Sequence, residues 1–413
     1  MMPAVPETNA QLQTVALFVS MLAVAGPAAL VAERLRIPSS VVLLLVGIAL
    51  AVAFPALRVA PSPDLLLAVL IPGLLFEGGY RLELDHLRRL FGGVLLLAIP
   101  GVLVSALVVA AVVSLATGMP FALAFLFGIV VSPTDPAAVL AAFRDAGHRS
   151  PLRTLVEAES MFNDGTSLVL FAAILRARGE AAGIVDAAVA VVVTLVVSGA
   201  IGAAVAWLAS RIIALTEDIP LQLTVALAMA YGAYLIAVLA GQSGIIAAVA
   251  AALTLGALVR TSGMSARAEA QFDSVLEFVA FVLNALVFLL LGFAIASQFP
   301  PPGAALLAIL VALLGRAATV YGVFAPVSRV YTVMRGTRGL PGHWLNVLFW
   351  SGLRGAVAVA MALSLPDDLP DRALLQGMTY VIVAFTVLVQ GSTARLLLER
   401  DVAAATTDVV SSA

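Results

Sequence analysis

The residues equipped for chemistry crowd into Glu157-Ala-Glu-Ser-Met-Phe-Asn-Asp-Gly165, where three carboxylates and an asparagine fall within eight positions. On a helix of 3.6 residues per turn, Ser160 and Asp164 share one face, while Glu159 and Asn163 share a neighbouring one. An apolar run, Thr166 to Ile174, follows directly. In a membrane, each charge at the bilayer centre costs about 2.5–3.5 kcal/mol or more, so such a cluster marks a working site. Carboxylate, hydroxyl and carbonyl oxygens form a hard donor set, suited to a bare alkali cation. Thiolate chemistry is excluded, because the chain has no cysteine.

Polar residues recur at a few other places in apolar surroundings. Ser132-Pro-Thr-Asp-Pro136 sets two prolines around Thr134 and Asp135, removing backbone donors and leaving carbonyls unpaired. This reads as a broken helix lining an ion site, with a simple proline kink as the bland alternative. Trp350-Ser-Gly-Leu-Arg354-Gly-Ala356 is a second interruption, and Arg354 is placed to neutralise exposed carbonyl ends and Asp135 where the two meet. Arg316 interrupts a third apolar run and needs a carboxylate partner, which Glu159 or Asp164 could supply. Assigning Arg316 to Glu159 as a packing tie leaves Asp164 without a protein cation. Glu77, in Leu-Leu-Phe-Glu-Gly-Gly-Tyr80, could line an access path or sit at the interface. Asn284 reads as a helix-to-helix hydrogen bond, and Glu157, within helical reach of Arg153, as a solvated bystander.

What must position these groups is a bundle of spanning helices. Of 413 residues, 62% are hydrophobic and only 11% charged, with mean hydropathy +1.11, far from a soluble domain. A net charge of −2 argues for no nucleic acid or other anionic partner. No basic residue precedes Arg34, so the first apolar run reads as a retained helix rather than a signal peptide. Apolar runs punctuated by Gly, Pro and Arg give thirteen spans: 12–32, 38–55, 63–80, 91–115, 120–143, 152–176, 184–209, 218–240, 243–259, 275–298, 303–328, 342–364 and 374–397. Residues 260–275 read as an amphipathic connector at the interface, and 401–413 as a short polar tail. All basic side chains but the histidines are arginines. Sixteen of the 22 fall in loops after odd-numbered spans or in the tail, four in the even loops. By the positive-inside rule the N-terminus is outside and the C-terminus cytoplasmic. The fold expected is an all-α polytopic membrane protein. Its paired interruptions, in spans 5 and 12, point to inverted repeats with a site at the midplane.

Together these residues resemble the monovalent cation–proton antiporters, in the NhaP branch that also holds the animal sodium–proton exchangers. The specific part is Glu159-Ser-Met-Phe-Asn163-Asp164-Gly, similar to that family's E-S-x-F-N-D-G. Ser132-Pro-Thr-Asp-Pro136, Phe76-Glu-Gly-Gly79, Arg316, Asn284-x-x-x-Phe-x-x-x-Gly292 and Gly352-Leu-Arg-Gly355 follow in the family's order. Ala158 and Met161 depart from its usual Gly and Leu, and neither removes a side-chain ligand.

The resemblance implies a homodimer. Residues 12–80 and 184–298 would form the dimer-interface domain, and 91–176 with 303–397 a transport core that slides past it. It makes Asp164 the carboxylate that takes either cation or proton, with Ser160 and the backbone at Thr134 completing the shell. Asp135 and Glu77 would contribute nearby, Glu77 through water. Glu159 and Arg316 would be the structural pair, with Asn163, Arg354 and Asn284 in support. Asn163-Asp164, rather than two aspartates, resembles the electroneutral one-for-one exchangers. Expected partners are Na⁺ (or Li⁺), H⁺ and the lipid bilayer of the plasma membrane; no cofactor and no enzymatic activity are expected. A K⁺/H⁺ exchanger would use the same residues. An organic-anion transporter would need a further uncommitted cation, and a gated channel would not couple flux to protons.

Overall fold

The computed structural model describes residues 6–54, 62–145, 150–177, 184–261, 266–335 and 342–397. Among them there is no strand. The helices run α1 (Pro6–Leu35), α2 (Ser39–Ala53), α3 (Ile71–Arg81), α4 (Leu84–Leu96), α5 (Val102–Thr117) and α6 (Phe121–Val130). Then come α7 (Ala137–Asp145), α8 (Pro151–Ala177), α9 (Ile184–Ile213), α10 (Ile219–Leu239), α11 (Gly244–Thr261) and α12 (Ala266–Ser297). The chain closes with α13 (Pro302–Ala317), α14 (Ala325–Arg335), α15 (Gly342–Trp350), α16 (Ala356–Leu363) and α17 (Arg372–Phe385). Wide π-helical turns lead into α3, join α4 to α5 and α13 to α14, and continue α17. The α4–α5 turn contains Pro100, whose missing N–H accounts for the local loosening.

Seven helical stretches among the described residues are long and apolar enough to cross a membrane, and α2, α6 and part of α11 are shorter apolar helices. Large apolar side chains such as Val196, Leu208, Leu235 and Leu306 stand on the outside of the bundle, where lipid would receive them. In lipid there is little hydrophobic drive between helices, so close contact needs small residues. α2 and α12 meet at Gly47 and Gly292: a Cβ on Gly292 would lie 2.6 Å from the Leu44 carbonyl oxygen. α5 and α6 meet at Gly128, where a Cβ would come within 2.8 Å of Ala106 Cα.

One expected element differs. Residues 266–275, read as part of an interfacial connector, belong to the continuous 32-residue α12. Ala266-Arg-Ala-Glu-Ala-Gln271 is rich in strong helix formers and contains no Gly or Pro, so the helix extends backward through it. The tail at 401–413 lies outside the described residues.

Two places interrupt helical runs. Between α6 and α7, residues 131–136 leave the helix; between α15 and α16, residues 351–355 do the same. The amide of Asp135 donates to the carbonyl of Leu353 at 2.7 Å, so the two interruptions touch.

Candidate functional site

Each interruption frees backbone groups that must find partners in a dry interior. At the first, Pro133 and Pro136 carry no N–H, and the residues before them are biased away from helix. The Ser132 hydroxyl turns back to the Gly128 carbonyl at 2.7 Å. Arg354 takes the freed carbonyls of Ser132 and Pro133, the latter at 3.1 Å. Thr134 is held twice by Asn163: its amide donates to Asn163 Oδ1 at 3.2 Å, and Asn163 Nδ2 donates to its hydroxyl at 2.8 Å. The Thr134 carbonyl accepts the Ser160 hydroxyl. Asp135 Oδ1 accepts the Ala137 amide at 3.0 Å, an Asx turn that starts α7.

At the second interruption, the orphan carbonyl of Leu348 accepts Arg316 Nε at 3.0 Å and the Ser351 hydroxyl at 2.9 Å. The same guanidinium is paired with Glu159 of α8 through both terminal nitrogens, Nη2 to Oε2 at 3.0 Å. Arg316 therefore joins α13, α8 and the end of α15. The Arg354 amide donates to Thr386 Oγ1 at 3.0 Å.

α8 thus carries two polar faces. Glu159 and Asn163 face the arginines and the first interruption. Glu157, Ser160, Met161 and Asp164 face a cavity of about 160 Å³, bounded across by Glu77 of α3, Asn284 of α12 and the Thr134–Asp135 segment. Asp164 is 7% exposed and has no hydrogen-bond or ion-pair partner among the described residues. Asp135 stands within electrostatic reach of it, a second carboxyl group rather than a counter-ion. Glu77 is tied to Arg81 of its own helix at 2.9 Å. The donors around the cavity are oxygens, and a desolvated carboxylate there can take up a monovalent cation or a proton.

Three expectations change. Arg354 forms no ion pair with Asp135 among the described residues; its charge goes to the carbonyls of Ser132 and Pro133, while the Asp135 carboxylate turns toward α7 and packs on Gly355. Asn284 makes no helix-to-helix hydrogen bond among the described residues and lines the cavity instead. Glu157 is no solvated bystander, since its side chain is only 13% exposed and lies on the cavity wall. Its i, i+7 spacing from Asp164 was the available signal, because that spacing returns to the same helix face.

Fold and site define a polytopic α-helical membrane protein with a buried, unpaired carboxylate on the wall of a polar cavity. The chain belongs to the sodium/hydrogen exchanger (transmembrane) family, whose pattern matches residues 19–400, and it is of the NhaP type. Members of this family are transporters, not enzymes. The chain is 32% identical over 368 residues to the low-affinity Na⁺/H⁺ antiporter NhaS1 of Synechocystis, covering 88% of this chain and 69% of that protein. To the Na⁺/H⁺ antiporter NhaP of Pseudomonas aeruginosa it is 32% identical over 346 residues, 79% of each. Its fold is similar to the sodium proton antiporter MjNhaP1 of Methanocaldococcus jannaschii, with a TM-score of 0.72 at 17% identity over 94% of this chain and 98% of that one. It is a multi-pass membrane protein.

Proposed function

We propose that this chain exchanges Na⁺ for H⁺, one for one, with Asp164 as the carboxylate the two ions share. The observation that carries this is the state of Asp164: nine-tenths buried, facing a polar cavity, and without a protein cation. Membership of an exchanger family supports it, as do the Na⁺/H⁺ antiporters among its relatives. Ser160, the Thr134 segment and Asp135 would complete an oxygen shell for the cation, with Glu77 reaching it through water. Li⁺ fits the same donors.

The coupling follows from electrostatics. A bare Asp164 would be expensive to carry through an apolar gate, at several kcal/mol. Either H⁺ or Na⁺ neutralises it equally, so the loaded site moves and the empty one does not. With one charge moving each way, the membrane potential, about 2.3 kcal/mol per charge per 100 mV, contributes nothing. The moving body would be residues 91–176 with 303–397, sliding against 12–80 and 184–298, which would also form a homodimer. In this reading thirteen spans place the N-terminus outside and the C-terminus in the cytoplasm. The interruptions at 131–136 and 351–355 would be the middles of two crossing broken spans.

Asp164→Asn tests the reading in proteoliposomes with a proton-sensitive dye, titrating Na⁺, Li⁺ and K⁺. The expected result is complete loss of cation-driven proton movement. Exchange at the normal rate in Asp164→Asn would remove Asp164 from its role, and a response to K⁺ alone would replace the cation.

A further inference from the structure

The cavity wall carries a carboxylate that the cycle above leaves idle. Glu157 stands seven residues before Asp164 on α8, so at 1.5 Å per residue it lies roughly 10 Å further along the same face. One cavity touches both. Asp164 is nine-tenths buried and unpartnered among the described residues, which marks its part of the cavity as the place where a ligand is received. Glu157 is 13% exposed, and Arg153, one turn back toward the start of α8, brings Nε within 3.9 Å of Oε2.

The facing wall repeats the arrangement. On α3, Glu77 is 19% exposed and lies on the same cavity, with Arg81 one turn further on at 2.9 Å. On α8 the arginine precedes its glutamate; on α3 it follows. The topology proposed above runs these helices in opposite directions, which puts both arginines on the cytoplasmic side of their glutamates. Each wall then presents a carboxylate to the cavity and a tethered cation at its rim. A partly exposed ion pair of this kind is weak and opens readily. A carboxylate at the mouth of a low-dielectric cleft raises the local concentration of cations entering it.

We propose that Glu157 is the docking carboxylate for the incoming cation, receiving it partly hydrated and passing it to Asp164, with Arg153 occupying Glu157 between arrivals. Glu77 supports the same step from the opposite wall. The inference rests on the sodium–proton reading and adds to it a residue that governs how Na⁺ is captured rather than how fast the loaded site moves.

The test is Na⁺-driven proton movement by the full chain in proteoliposomes, measured as initial rate against Na⁺ concentration. Glu157→Gln is expected to raise the KM for Na⁺ about three- to tenfold, the size of a local concentration effect, with a smaller change in maximum rate. Glu157→Asp should recover most of the lost affinity, and Arg153→Gln, which removes a competing cation, should lower KM. An unchanged KM in Glu157→Gln overturns the proposal. So does a fall in maximum rate shared equally by Gln and Asp at normal KM, since that is a packing defect. Should Glu157→Gln fail to assemble, Arg153→Gln decides alone: a KM at or above wild type overturns the proposal. Wild-type protein that moves no protons in response to Na⁺ would remove the parent reading instead, and that control is separate from every variant.

Discussion

The two interruptions occupy corresponding places, each between a pair of short helices, yet they are broken for different reasons. Residues 131–136 break from within: Pro133 and Pro136 have no amide to give, so this segment would leave the helix in almost any setting. Residues 351–355 contain no proline, and side chains from elsewhere lie close against their two glycines. A Cβ on Gly352 would lie 2.7 Å from Arg316 Nε, and one on Gly355 would lie 2.7 Å from Asp135 Cγ. The first interruption therefore supplies acceptors and a carboxylate, and the second supplies room and a donor. Arg354, from the second, takes two carbonyls of the first, while the Leu353 carbonyl takes the Asp135 amide. Neither is complete without the other.

That dependence is broken most severely at Arg354. It is 2% exposed, and the carbonyls of Ser132 and Pro133 converge on its Nη1. Arg354→Gln removes the charge and leaves these acceptors in a dry interior. Loss of about 3–5 kcal/mol is expected, on the scale of breaking a buried charged network. Thermal unfolding of the detergent-solubilised protein should show it, together with loss of exchange. A variant as stable and active as wild type would show that the carbonyls do not depend on this guanidinium.

How much of this was legible in the sequence follows the same division. The proline interruption could be read directly, because its cause lies in its own residues. The Glu159–Arg316 contact could be read only in part: a guanidinium among apolar residues must find a carboxylate, α8 offers both Glu159 and Asp164, and it is the family resemblance that implies Glu159. The second interruption was visible only as glycines around a charge. Its reason, the approach of Arg316 and Asp135, is a tertiary fact. The clamp of Asn163 on both the amide and the hydroxyl of Thr134 was hidden for the same reason, since 29 residues separate the partners. Arg354 is read from the sequence as meeting both freed carbonyl ends and Asp135; the carbonyls do receive it, and the Asp135 part fails because charge complementarity is what a sequence displays. Which way a carboxylate turns at the start of α7 depends on a backbone turn that it does not display. The general fold was the easiest part, because apolar runs of spanning length announce themselves. The true start of α12 is hard to read because its first residues are polar in composition yet still strong helix formers.

Gly355→Ala tests the claim that the second interruption is imposed from outside. The new methyl would meet the Asp135 carboxylate, so either the interruption or α7 must shift, at a cost of about 1–3 kcal/mol. In an Asp135→Gly background the same substitution should cost little, because the carboxylate and the Cβ that crowd this position are both gone. Unfolding measurements on the four proteins of that cycle give the coupling directly. Equal costs in both backgrounds would mean that Gly355 is needed for its own backbone, and the contrast between the interruptions would weaken.

The smallest effect separates the two most alike residues. Ser132 and Ser351 each follow a helix end and return a hydroxyl to its last turn, to Gly128 at 2.7 Å and to Leu348 at 2.9 Å. The Leu348 carbonyl also has the Arg316 guanidinium, whereas the Gly128 carbonyl has no such second donor among the described residues. Removing the hydroxyl strands a buried acceptor in the first case and leaves it satisfied in the second. Ser132→Ala is expected to destabilise by about 0.5–1.5 kcal/mol, and Ser351→Ala by less, on the scale of one neutral hydrogen bond. Paired thermal unfolding of the two variants reads the difference, and a larger loss from Ser351→Ala would reverse it. The ordering matters more than either value, because it asks whether the second interruption draws its satisfaction from another helix while the first must supply part of its own.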